Sequence, residues 1–450
     1  MKGKKIVIVG GGLSGVLTAM RLAEMRPAPE VVLLEKDSEK LGRGVAYQHD
    51  FTHQPLNVPA AGMSLYPDKP LDFLTWLQEN SFRYSHLIKD ISAQSFVPRK
   101  IFGDYVVERL QALHDRPDSL LEIRIDEAIH ISGNETKTLR LISGAELTAD
   151  AVILALGNFP PVDILPENKM LKADSRYFSN PWTDRVYRNI NGGENILLLG
   201  TGLTAVDVVL GLAVRNFSGR ITMLSRRGRL PMPHTITSAK MDWPGEYLLT
   251  PNELFHKVRK LIRENAELPW TAVLDALRPH VQKIWMSWSD ADKKYFMRRL
   301  RPFWEIARHR IPEFTSSILH DMVKDGRLEL CKGEIAAVEV RTEGLRASYR
   351  EQDKMVEKEF QKIINCTGPQ SNYRELQFPV IKDLLAAGSV VPDKLGLGIM
   401  CAPNGNIINS SGTPEAGLWC IGPMRKSVLW ETTALREIRD QADELAKLLV

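Results

Sequence analysis

Cysteine is scarce and scattered: four residues, Cys331, Cys366, Cys401 and Cys420, stand in no Cys-x-x-Cys. That excludes a disulfide framework and a zinc knuckle, and it fits a reducing, cytoplasmic setting. No His-Glu-x-x-His occurs, and the His49/His53 pair has no third ligand near it in sequence, so no metal is expected. Charge of one sign is also missing. A net +4 over 450 residues argues against a dedicated binder of nucleic acid or acidic lipid. Nor is there an unbroken apolar run of bilayer length, because Asp207 and glycines interrupt the longest one, residues 196 to 214. Met1 to Ala23 has the basic start and apolar middle of a signal peptide, but its apolar part belongs to a different motif and is expected to be retained.

That motif is Ile6-Val7-Ile8-Val9 followed by Gly10-x-Gly12-x-x-Gly15 and a helix-periodic segment through Ala23. It reads as strand, tight turn and helix. Gly10 serves the turn, Gly12 lets the backbone approach a pyrophosphate, and Gly15 lets helix and strand pack closely. The helix start then offers free N–H groups to phosphates. A second strand from Glu30 ends in Glu35, twenty residues past Gly15, where a carboxylate accepts from a ribose hydroxyl.

The pattern recurs. Ile196 to Leu199 leads into Gly200-Thr201-Gly202-Leu203-Thr204-Ala205, and the next strand, Arg220 to Leu224, ends in Ser225-Arg226-Arg227 instead of an acid. Two guanidinium groups there suit a 2′-phosphate, which a carboxylate would repel; the plainer reading is two solvated arginines. Each unit closes on a buried-type strand ending in glycine, Ala151 to Gly157 and Lys362 to Gly368. Two units with the same order of parts imply two dinucleotide sites.

Between them, helical spacing is expected over Leu71–Asn80 and Arg99–Leu113, with strands at Leu121–Ile125, Ala128–Ser132 and Leu139–Ile142. Asn57, between Pro55 and Pro59, is a candidate to hydrogen-bond a coenzyme ring, or else a simple turn residue. An all-helical stretch from Leu254 to Arg310 carries Trp270, Trp285, Trp288 and Trp304 among many cations. It reads as core or as a lid over a cavity, and its basic face as solvated surface, an anionic-substrate site or, less readily, a platform for single-stranded nucleic acid. A strand at Leu418–Ile421 and a helix from about Thr432 to Leu449, capped by Thr432 or Thr433, should return to the first unit.

Taken together, these segments, with Gly42-Arg43-Gly44-Val45-Ala46-Tyr47, Arg308-His309-Arg310 and Leu429-Trp430-Glu431-Thr432-Thr433, resemble the bacterial FAD/NAD(P)-binding proteins of the two-dinucleotide-binding-domain flavoprotein superfamily. The resemblance implies an α/β chain with two Rossmann-like domains: an FAD domain in two parts, 1–190 and 369–450, and an inserted NADP domain, 191–368, carrying a helical insertion at about 235–315. It implies FAD and NADPH as coenzymes and kinship with N-hydroxylating and flavin-containing monooxygenases. FAD contacts then fall on Gly10, Gly12, Leu13, Ser14, Gly15, Glu35, Lys36, Arg43, Gly44, Asn57, Gly157, Gly422, Thr432 and Thr433; NADPH contacts fall on Gly200, Gly202, Thr204, Arg226 and Arg227. Asn57 is the one residue expected to take part in the chemistry. The expected activity is oxygenation of a small polar substrate, amine N-oxidation included; the alternatives are electron transfer to a quinone or protein, and nucleotide-responsive binding without catalysis. Pro423 stands where many relatives have an acid after the glycine, and it can donate no N–H.

Overall fold

The computed structural model describes residues 3–188, 190, 192–235 and 239–450. The basic start at Met1 and Lys2 is outside the described residues, as are Asn189 and Asn191 at the expected domain boundary. Strand Lys5–Val9 buries Ile6, Val7 and Ile8 completely, since strands pair on both edges, helices cover the Ile6 and Ile8 face, and a three-stranded sheet of 128–132, 137–141 and 146–149 covers the Val7 and Val9 face. It lies inside a six-stranded sheet of order 406–408, 414–420, 151–154, 5–9, 30–35, 121–125. Lys5 pairs with Glu30, Ile6 with Ala151, and Leu418 with Val152, all parallel. The C-terminal strand Pro414–Cys420 therefore completes the sheet that the first strand begins.

A seven-stranded sheet repeats the plan, in the order 354–360, 345–351, 328–340, 220–225, 195–199, 362–365, 177–178. The correspondence extends to single hydrogen bonds. Gly10 N donates to Leu34 O at 2.9 Å and Gly200 N to Leu224 O at 2.8 Å; Ala155 N donates to Val9 O at 2.8 Å and Cys366 N to Leu199 O at 2.9 Å. The segment 196–214 is a strand and a helix split by the turn, and no helix among the described residues is long and apolar enough to cross a membrane.

Four elements differ from expectation. The sequence reads as two separate strand-like pieces at 328–330 and 336–340, but they are one strand, Leu328–Val340, bent by a bulge between Ile335 and Ala337. Strands Glu146–Ala149 and Lys354–Phe360 go unread in the sequence because the first is only four residues long and the second carries the charged run Glu357-Lys358-Glu359. The final helix begins at Leu435 with Ala434 as its N-cap and no side-chain cap, so neither threonine serves. Trp430, at φ +62°, turns the chain before the helix, and Thr432 is fully buried upstream of it.

Leu435, Ile438, Ala442 and Leu445 of that helix pack with Val16, Leu17 and Met20 of helix Leu13–Glu24 and with Ile101 and Phe102 of helix Arg99–His114. The helical insertion has its own core of Leu277, Ile284, Trp285, Trp288 and Phe296, joined by Leu397 and Trp430 from the C-terminal segment. The indoles are tied as well as packed: Trp285 Nε1 donates to Ser427 O at 2.9 Å and Trp304 Nε1 to Glu431 Oε1 at 3.1 Å. The insertion is thereby fastened to the end of the chain.

Candidate functional site

Both glycine turns are closed to any side chain at their first position. Gly10 has φ +110°, and a Cβ there would lie 2.4 Å from Ala155 O; Gly200 has φ +124°, and its Cβ would lie 2.5 Å from Cys366 O. A Cβ on Gly15 would meet Gly10 O at 1.9 Å, whereas Ala205 holds that place in the second turn. The middle glycines face space instead. Gly202 has nothing within 4 Å of its Cβ direction, and Gly12 looks onto Gly44 Cα at 3.4 Å. Helices Leu13–Glu24 and Leu203–Ala213 both start from these glycines with no side chain capping them. Two uncapped helix starts beside side-chain-free backbone fit phosphate groups and little else.

Around the first turn, Glu35 Oε2 accepts from Gly11 N at 2.8 Å and Oε1 from Asp37 N at 3.2 Å. Burial raises its pKa, and those backbone donors offset the rise only in part. Lys36 turns outward, its Nζ 3.4 Å from Glu127 and over the Phe378 ring. Arg43 is buried and paired with Asp104 at 2.6 Å, so its guanidinium is committed to the domain interior. Breaking such a pair costs about 3–5 kcal/mol, and the loop meets the turn through backbone instead, with Gly42 N donating to Gly11 O at 2.8 Å. Gly422, at φ +78°, donates its N–H to Gln441 Oε1 at 3.0 Å, and a Cβ on it would lie 2.7 Å from Ser14 Oγ. Ser14 is thus met by the returning chain.

Between the two units runs a cleft of about 1950 Å³. Asn57, Gly157, Gly200, Gly202, Thr204, Arg226, Arg227 and Thr433 all line it. Thr432 does not reach it, and neither do Gly10, Gly12, Glu35 and Gly422 around the first turn. Arg226 and Arg227 are exposed, and neither enters an ion pair among the described residues.

Sequence reasoning missed several residues of the cleft, because their partners come from distant segments. His234 Nε2 lies 2.8 Å from Asn57 O, which fixes the ring across the cleft, and burial first, then Arg310 and Arg308, lower its pKa. Asp207, on the helix after the second turn, pairs with Arg99 of the first unit at 3.0 Å. Gln54 Nε2 and Tyr187 Oη meet nearby at 3.4 Å. Burial pushes the Asp207 carboxyl up to about 6 against the pull of Arg99. A carboxyl with a raised folded pKa favours the folded state below its unfolded pKa, and that stability is lost as pH rises to the folded value. Thermal melts of the wild type and of Asp207→Asn across pH 4 to 7 should therefore show their Tm difference moving in the variant's favour as pH rises through that window. A difference that stays flat would show that Asp207 titrates normally.

The family profile described as FAD-NAD(P)-binding matches residues 7–159. A comparison with curated protein sequences finds no match. Among solved structures, the chain is similar to the Kutzneria sp. 744 ornithine N-hydroxylase with reduced FAD, NADP+ and L-ornithine (13% identity, 99% of each chain covered, TM-score 0.67). It is also similar to the FAD-bound cadaverine monooxygenase of Erwinia amylovora (14% identity, 99% of this chain and 94% of that one, TM-score 0.68). The thioredoxin reductase of Lactococcus lactis is a more distant likeness (12% identity, 99% and 98% covered, TM-score 0.55). Residues 7–159 are accordingly a FAD/NAD(P)-binding domain, and the chain as a whole has the fold of the two-dinucleotide-binding-domain flavoproteins.

Proposed function

We propose that this chain is an NADPH-dependent FAD monooxygenase that oxidises the nitrogen of a small polar amine. The observation that carries the reading is the pair of uncapped, side-chain-free phosphate cradles, the second lining the cleft and followed by two arginines without an ion pair among the described residues. In this reading residues 1–190 and 369–450 hold FAD, and 191–368 hold NADPH. Gly10, Gly12 and the starting amides of the first helix take the FAD pyrophosphate, and Glu35 takes a ribose hydroxyl. Gly200, Gly202 and Thr204 take the NADPH pyrophosphate, with Arg226 and Arg227 on its 2′-phosphate. FAD held there would supply the redox chemistry, with NADPH as hydride donor and oxygen as electron acceptor.

The protein's own part is placement and exclusion of water. Asn57 offers an amide to the coenzyme ring, and its main chain is held by the imidazole of His234, which burial keeps neutral. The helical insertion, packed on its own indole-rich core, supplies one wall of the cleft through Asp275, Arg278, Met297 and Arg301. The amine assignment draws on the ornithine and cadaverine enzymes that share the fold. A dithiol reductase is disfavoured, since the four cysteines are buried and none forms a Cys-x-x-Cys.

NADPH should bleach the visible spectrum of the FAD-loaded protein, and oxygen uptake in the presence of a panel of small amines should yield an N-hydroxylated product with at least one of them. Oxygen consumed only to hydrogen peroxide with every amine would leave an oxidase or reductase in its place.

A further inference from the structure

The wall of the cleft facing the helical insertion is rich in charge, and nearly all of it is already neutralised. Arg278 holds Glu437 at 2.7 Å, Arg308 lies 3.3 Å from Glu431, Arg310 is paired with Asp275, and Glu305 is shared between Arg301 at 3.0 Å and His309 at 2.8 Å. Lys426, beside these pairs, is different. Lys426 lines the cleft, only partly exposed, with no hydrogen bond or ion pair among the described residues. Its Nζ sits 4.7 Å from the centre of the Trp430 ring, which stacks on Trp285 at 4.8 Å. Arg301 approaches the same ring at 5.9 Å and uses only its Nε on Glu305.

Trp430 is held there at φ +62°, a conformation that a bulky residue adopts only when its surroundings impose it. An unpaired ammonium kept out of bulk water on an aromatic platform is costly unless something of opposite charge joins it. Burial lowers the Lys426 pKa and Arg301 adds to that, while the carboxylates of Glu305 and Glu431, held by other partners and beyond ion-pair distance of it, offset the shift only in part.

We propose that Lys426 and Arg301 form an anion-binding subsite in which the substrate's oxyanion, a carboxylate or a phosphate, is held against the Trp430 platform. This rests on the reading of the cleft as the place where substrate meets the coenzymes. It also has a chemical reason. A nitrogen must carry its lone pair to be oxidised, and a fixed carboxylate beside it would keep it protonated. Recognition by the far, anionic end of the molecule avoids that conflict, and it matches a wall where Asp207, Asp275 and Glu305 are each taken by an arginine.

The test uses the FAD-loaded full chain and tryptophan fluorescence, for which Trp430 and Trp285 are the reporters. Titrations with succinate, inorganic phosphate and butylamine separate the two oxyanions from a simple cation. Saturable quenching by succinate or phosphate is expected, weakened tenfold or more in Lys426→Ala and largely kept in Lys426→Arg, with butylamine giving none. Three outcomes would overturn the proposal: neither anion saturating the wild type, equal binding in Lys426→Ala, or anion binding abolished by saturating NADP+. Loss of FAD from Lys426→Ala would likewise assign the ammonium to the coenzyme. None of these readouts depends on turnover, so a failed oxygenation assay leaves this result standing by itself.

Discussion

Gly10→Ala protein is expected to purify colourless and to take up no added FAD, while Gly202→Ala protein stays yellow. The difference follows from what each new methyl group meets. At Gly10 the backbone is at φ +110°, and the Cβ would sit 2.4 Å from Ala155 O. That carbonyl cannot retreat, because Ala155 N is bonded to Val9 O at 2.8 Å and the residue follows a fully buried strand. Left-handed strain costs an L-residue about 1–2 kcal/mol, and forcing a methyl group into packed backbone about 1–3 kcal/mol more. Roughly 2–5 kcal/mol taken from the cradle weakens FAD at least about 30-fold. At Gly202 nothing lies within 4 Å, so the methyl group is tolerated by the fold and obstructs only the second nucleotide. The FAD-to-protein ratio from the visible spectrum checks the first claim, and circular dichroism separates loss of coenzyme from loss of fold. Stoichiometric FAD in Gly10→Ala would show that the cradle lies elsewhere.

The two turns were legible in the sequence because their chemistry is local. A strand, a glycine turn, a helix and the next strand's end fall within some thirty residues, and each glycine has a steric reason visible in the spacing. The resulting repeat also indicates that Ala155 and Cys366 close equivalent turns, as the matching hydrogen bonds show. What the sequence hides is pairing across distance. Arg43 looks like a phosphate ligand beside two glycines, yet Asp104, sixty-one residues on, takes its charge. Lys36 follows Glu35 but faces Glu127. Thr432 and Thr433 look like helix caps, but the strained backbone at Trp430 delays the helix to Leu435. His234, Asp207 and Lys426 carry no motif at all; they enter the cleft because three separate segments converge there.

Replacing both Arg226 and Arg227 with alanine should weaken NADPH about 100-fold and leave NADH within about twofold, a change of donor preference and not of fold. Both side chains are exposed on the cleft after strand Arg220–Ser225, and neither has an ion-pair partner to lose among the described residues. A hydrogen bond to a charged group contributes about 1.5–3 kcal/mol when well formed. Exposure and salt screen that toward the lower end, or about tenfold for each guanidinium. NADH lacks the 2′-phosphate and so forfeits nothing from the same truncation. Equilibrium binding of each coenzyme, repeated at rising ionic strength, reads the effect directly, because the advantage of NADPH in the wild type should itself shrink as salt is added. An equal loss for both coenzymes would place the arginines on the shared pyrophosphate, and no loss for either would return them to the solvent. Since the first cradle is untouched by these substitutions, the variant should remain yellow, which ties any change in donor affinity to the second unit alone.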